Sequence, residues 1–223
     1  QLAYAGALME KLAASAVAAV TVGLIYLLLR RRLGTSLATL LAVAFAFGCS
    51  TWVTSSQALW QHGTTQFLSV VALLELTREP SPARLAIAGA ACGLIPFNRP
   101  PDLPLALAIG AAALLAARRR SWPFVSGAIA AALPFATLNV MLHGHVGGGY
   151  FRFVTVESFF HGSILVGLAG LLVSPGKGLF FFSPFLLFLL RRLRRPRPGD
   201  EYGRLDLCLV LAVVGTLALL SKG

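Results

Sequence analysis

The chain has 223 residues, of which 57% are hydrophobic and only 12% charged, and its mean hydropathy is +0.79. A soluble globular chain carries about 25% charged residues, so one or two water-soluble domains could not hide this much apolar surface; the composition fits lipid as the solvent. The net charge of +11 does not mark a nucleic-acid-binding protein, because such proteins spread basic residues along a polar face. Here they fall in short bursts between apolar stretches, which is a pattern of membrane topology, and nucleic acid is excluded as a partner.

Apolar runs between polar breaks predict eight spans in chain order: Leu12–Leu29, Ser36–Val53, Thr65–Leu76, Arg84–Phe97, Leu103–Ala117, Trp122–Leu142, a broken Ile164–Leu190, and Leu205–Leu220. Continuous apolarity calls for helices, since barrel strands alternate over about ten residues. The expected fold is therefore all-α, a polytopic transmembrane helical bundle of about eight spans forming one domain over residues 1–223. A long extracytoplasmic loop with interfacial segments is expected after the sixth span. The first run is not a signal peptide, because its positive charges follow the apolar stretch. The chain starts at Gln1 and stops at Gly223 directly after an apolar run, so it is expected to be a piece of a longer membrane protein. Cys49, Cys92 and Cys208 lie singly in apolar runs without metal-type spacing and read as small apolar fillers.

The charges test the span count independently. Arg30–Arg32, Arg78 with Arg84, Arg118–Arg120, and the group from Arg191 to Arg204 make every second loop basic. That alternation is what the positive-inside rule demands, with these loops cytoplasmic. Fourteen of the nineteen Lys and Arg residues then fall inside, leaving Lys11, Arg99, Arg152, Lys177 and Lys222 outside.

With that orientation the other polar groups collect on the outer face. Thr51 to Gly63 carries Trp52, Gln57, Trp60, Gln61 and His62, aromatic, amide and imidazole groups suited to stacking on and hydrogen-bonding a sugar. The two tryptophans are also what an interfacial belt uses, whereas nothing in belt formation calls for Gln-His-Gly. The next outer turn, Asn98-Arg99-Pro100-Pro101-Asp102, is stiffened by its prolines, which end the helix at Phe97. It holds Arg99 where its planar fork suits phosphate oxygens; an ion pair with Asp102 or snorkelling to headgroups is the competing role. Gly144, Gly147, Gly148 and Gly149 open the long third outer segment. Tyr150 to Phe153 and Phe159 to His161 follow as interfacial pieces, with Arg152 beside them and Glu157 as an exposed acid that could serve as a base.

Ser174-Pro175-Gly176-Lys177-Gly178-Leu179 interrupts the seventh apolar run. It lacks Walker A spacing and has no Ser or Thr after the lysine. A break at membrane depth needs a polar cavity or protein around it, and a lysine there marks a functional candidate. Free backbone N–H groups plus an ammonium would cradle a phosphate; the plainer alternative is a loop whose lysine reaches headgroups. His143 and His145, with His62 or His161, give only weak metal spacing. No cofactor motif is present, and a divalent ion is the one cofactor left open. Gly89-xxx-Gly93, set among alanines, reads as close helix packing.

Ser56 to Gly63 with the apolar helix after it, Asn98-Arg99-Pro100, and Ser174 to Leu179 with Ser183-Pro184 resemble segments of bacterial multi-spanning glycosyltransferases of the C-type superfamily. That class is related to protein O-mannosyltransferases and aminoarabinose transferases, and the resemblance runs from Glu10 to Lys222 by order of spans. It implies a polyprenyl-phosphate sugar donor, membrane lipid as partner, and an extracytoplasmic active face on the bacterial inner membrane. It also implies an inverting transfer helped by a carboxylate in a first outer loop. That loop would precede the Leu12 span and is not in this sequence, nor is the outer segment expected after the last span. Under this resemblance Lys177, Arg99 and Arg152 are the lipid-phosphate candidates, Trp60, Gln61 and His62 contact sugar or acceptor, and Glu157 stands in as catalytic base. Two other functions remain open, a transporter or flippase and a noncatalytic scaffold subunit. Neither a repeat between halves nor much intramembrane charge favours a transporter.

Overall fold

A computed structural model describes residues 2–49, 51–149, 162–176, 178–187 and 203–222. Among the described residues the chain is helical and has no strand. The principal helices are α1 (Leu2–Arg30), α2 (Thr35–Phe47), α3 (Gln61–Leu76), α4 (Pro82–Asn98), α5 (Leu103–Ala117), α6 (Trp122–His143), α7 (Ile164–Val173) and α8 (Gly203–Leu220). Short turns join them: a π-helical turn at Thr51–Ser55, 3-10 turns at Pro100–Asp102 and Arg118–Arg120, and, after the break that follows α7, single turns at Leu179–Phe182 and Pro184–Leu187.

Each predicted run thus contains a helix, but not eight of full membrane length. Four segments are long and apolar enough to cross: Tyr4–Arg30, Pro100–Arg120, Trp122–His143 and Gly203–Leu220. Helix α2 has 13 residues, about 20 Å at 1.5 Å per residue, against a hydrocarbon core of roughly 30 Å. Its predicted run to Val53 is cut short at Gly48, whose N–H bonds back to the Ala44 carbonyl at 2.7 Å. In the other direction α1 starts ten residues ahead of the predicted Leu12 and carries Glu10 and Lys11 within its first turns. Helix α4 runs one residue past Phe97, because the proline constraint acts on Arg99, the residue before Pro100, which is extended at φ −148°.

Alanines build most of the interior, around Ile95, Ile109 and Phe124. Ala72, Ala88, Ala91, Ile95, Ile109, Ala113 and Phe124 form the core between α3, α4, α5 and α6, while large residues such as Leu107, Trp122, Leu165 and Val213 point outward. In water that distribution would be inverted; in lipid it is ordinary, because small residues let helix backbones approach while large ones meet acyl chains. Helix α4 packs most extensively on α6. A Cβ at Gly89 would fall on the Phe124 carbonyl, one at Gly93 would lie 2.6 Å from the Ala128 carbonyl oxygen, and Gly127 offers the same closeness to Ala86. The Gly89-xxx-Gly93 pattern is therefore a packing seam, as its spacing suggests.

The bundle has two distinct ends. At one, Arg31 donates to the Leu74 carbonyl and to Thr77 Oγ1 (2.7 and 2.8 Å), and Arg32 pairs with Asp206 at 2.8 Å. Arg78, Arg84, Arg120 and Arg204 line a cleft at this same end. The described basic clusters that the charge pattern assigns to one side therefore converge in space. Arg191 to Arg197 lie outside the described residues. At the opposite end Ser15 Oγ donates to the Ser56 carbonyl (2.9 Å), and the Leu59 N–H donates to Glu10 (3.2 Å). These bonds tie α1 to the loop that leads into α3.

Candidate functional site

The segment before α3 folds back on that helix through polar contacts. Gly63 allows this close approach: its ideal Cβ position is 3.2 Å from Ser55 Cβ, so a larger residue would require the π-helical turn to give by a few tenths of an ångström. Ser55 Oγ donates to Gln66 Oε1 (3.1 Å), and Gln66 Nε2 reaches Thr51 Oγ1 (3.4 Å). Thr51 in turn contacts Cys49 Sγ at 3.1 Å. Thr51 and Ser55 are 2% exposed, so a polar seam runs down one side of α3 where composition alone suggests only a loop. Gln66, an amide inside an otherwise apolar run, is the sequence signal for it.

From the other side α4 delivers the Asn98–Asp102 turn. Asn98 Nδ2 donates both to the Gln61 carbonyl and to Thr65 Oγ1, each at 2.7 Å, which fixes the end of α4 on the first turn of α3. Arg99 pairs with Asp102 at 2.6 Å, and the Asp102 residue is 8% exposed. The ion pair weighed as one role for Arg99 is therefore formed. Asp102 occupies one terminal nitrogen of a guanidinium that has five N–H donors in all, so the pair also orients the remainder of the fork.

His62, Arg99 and Asp102 line one cavity of about 350 Å³ together with Thr65, Gln66 and Ser69 on α3. Ile25, Phe45, Val70 and Leu105 supply its apolar lining. From His62 to Val70 the cavity follows α3 for about 12 Å at helical rise, so it runs from the polar end toward the middle of the bundle. Ser69 Oγ is satisfied by the Thr65 carbonyl at 2.7 Å, and no buried side-chain polar atom among the described residues lacks a partner. His62, in the first turn ahead of the predicted Thr65 span, makes no hydrogen bond among the described residues; its ring stacks on Trp60 with centroids 6.5 Å apart. Burial lowers the His62 pKa below its usual 6.5, the nearby Arg99 cation lowers it further, and the Asp102 carboxylate opposes both. A neutral imidazole presents one donor and one acceptor, which suits a hydroxyl-bearing ligand.

Four predicted site residues can be followed in this way. His62 and Arg99 share the cavity, the Gln61 backbone is fixed by Asn98, and Trp60 is 61% exposed beside His62. Asp102, which the sequence offers only as an ion-pair partner for Arg99, lines the same space. Lys177, Arg152 and Glu157 lie outside the described residues. Flanking Lys177, the Gly176 N–H bonds to Ser174 Oγ (3.2 Å) and Gly178 N–H to the Ser174 carbonyl (2.7 Å), a tight turn at the predicted break. Ser183 Oγ donates to the Gly48 carbonyl at 3.5 Å, which brings the segment after the break to the end of α2, near Phe45 of the cavity wall. Among the described residues no group of three His, Cys, Asp or Glu side chains is placed to hold a metal ion.

Comparison with protein-family models, with curated proteins and with solved structures finds no match for this chain.

Proposed function

We propose that this chain is the membrane core of a glycosyltransferase that takes its sugar from a polyprenyl-phosphate donor at the non-cytoplasmic face of the bacterial inner membrane. The observation that carries the reading is the meeting of His62, Arg99 and Asp102 in one cavity, at the end of the bundle opposite the described arginine clusters. The Asn98–Asp102 turn and the Gln-His-Gly segment, far apart in sequence, supply cation and imidazole to the same space. That combination suits a ligand with one anionic and one hydroxyl-rich part.

In this mechanism the acceptor hydroxyl gives up its proton to a base and attacks the anomeric carbon, while the bond from that carbon to the lipid phosphate breaks. The electron pair of that bond leaves on the phosphate, and cationic groups stabilise it there. Arg99, with Lys177 and Arg152, takes this role; Trp60, Gln61 and His62 hold sugar or acceptor, and Glu157 serves as base. The test is transfer of radiolabelled sugar from a polyprenyl-phosphate donor in membranes carrying the protein. Arg99→Lys is the informative variant, since it keeps a charge opposite Asp102 but loses the fork. Transfer should fall about 10-fold or more, the size of one lost charge-assisted contact, with membrane insertion unchanged. Wild-type rates in Arg99→Lys and Lys177→Ala would remove the phosphate assignment, and absence of transfer by the wild-type protein would remove the enzyme reading.

A further inference from the structure

At the arginine-bearing end, the turn between α3 and α4, the last turns of α5 and the first residues of α6 and α8 enclose a cleft of about 1170 Å³. Four guanidinium groups line it, from Arg78, Arg84, Arg120 and Arg204, against two carboxylates, Glu75 and Glu79. Glu75 is already committed: it holds Arg78 at 2.6 Å and lies 3.9 Å from Arg84. Arg84 also donates to the Glu79 carbonyl at 2.7 Å. Arg120 and Arg204 meet no acid and make no hydrogen bond among the described residues.

Membrane topology alone would be served by arginines anywhere on this side; it does not call for four of them around one concavity. Beneath the charges the lining is apolar, with Leu76, Leu85 and Ala113. Trp122, 68% exposed, stands at the rim, where an indole favours the headgroup boundary. A cationic mouth over an apolar floor, beside an interfacial tryptophan, matches an amphiphile with an anionic head. Guanidinium groups left without carboxylates suit phosphate oxygens. We propose that this cleft binds the phosphate of an anionic membrane lipid, with Arg120 and Arg204 as its principal contacts. The site is separate from the His62 cavity and does not depend on the sugar-transfer reading.

The experiment measures retention of dioleoyl phosphatidylglycerol by the purified protein, using native mass spectrometry after release from nanodiscs of phosphatidylcholine doped with that lipid. The protein should retain the anionic lipid in preference to phosphatidylcholine. The double variant Arg120→Gln/Arg204→Gln should weaken retention roughly tenfold or more, at about 1 kcal/mol per basic residue near an anionic surface. Arg119→Gln, which removes a neighbouring charge that does not line the cleft, should change it little. Equal loss in both variants would mean a general surface charge effect and would overturn the site, as would no loss in either. Competition by millimolar glycerol 3-phosphate would identify a soluble phosphate ester as the ligand and overturn the lipid assignment; resistance to it supports the lipid.

Discussion

At one end of the bundle Arg99 is held by Asp102 and the adjoining Asn98 is locked onto α3 by two bonds of 2.7 Å. At the other, Arg120 and Arg204 line an open cleft without a partner among the described residues. The contrast separates two uses of the same guanidinium. A cation paired beside a small cavity is fixed in direction, so it can meet a ligand atom at a defined place, but removing it leaves a buried carboxylate behind. Cations over a large cleft that pair with no described residue have little part in holding the described fold and remain available to any anion that fits. Stability measurements should therefore distinguish the ends even where binding measurements do not.

The most severe way to break the comparison is to disrupt the helix that spans both ends. Gly89→Val would drive a side chain into the Phe124 carbonyl and push α4 off α6. It is expected to cost about 3 kcal/mol or more, at the upper end of overpacking effects, read as a large fall in melting temperature in detergent, whereas Gly6→Val meets open space and should have little effect. A sharper contrast comes from Arg99→Ala against Arg120→Ala. The first strands Asp102 and should destabilise by about 2 kcal/mol, less than for a fully buried pair because the Arg99 side chain is 23% exposed. Adding Asp102→Asn should recover part of the loss. Arg120→Ala should stay within about 0.5 kcal/mol. Equal losses at the two ends would erase the distinction.

The smallest effect concerns protonation. His62 has its pKa lowered from 6.5 in the folded protein, so the unfolded chain binds its proton at higher pH. Stability from this group is complete above about 6.5 and declines as pH falls through the lowered folded value. His62→Gln should flatten that part of the stability profile between pH 7 and pH 5. An unchanged slope would show that the imidazole is not held neutral by its surroundings.

Much of the architecture was legible from the residues. Runs of apolar side chains placed a helix in every predicted segment, Gly89 and Gly93 marked the α4–α6 seam, and the two prolines after Arg99 set the turn that carries it. Helix ends were less legible, as α1 and α2 show. Extra turns before Leu12 cost nothing that composition reveals, and the stop at Gly48 falls inside the predicted run to Val53. The polar seam through Thr51, Ser55 and Gln66 was missed because each residue alone reads as loop or filler. Their value lies in meeting across 11 to 15 positions of chain.

The sequence by itself determined the solvent and the grouping of charges, because partition between lipid and water is a property of composition and of local runs. Tertiary structure alone decided that Asn98 reaches Gln61, that His62 and Arg99 border one cavity, and that Arg120 and Arg204 face a common cleft. Helices apolar on all sides carry no stripe to say which face turns inward. That choice falls to the close fit of glycine and alanine against neighbouring backbone, a contact between segments distant in the chain, and it positions every polar group at both ends.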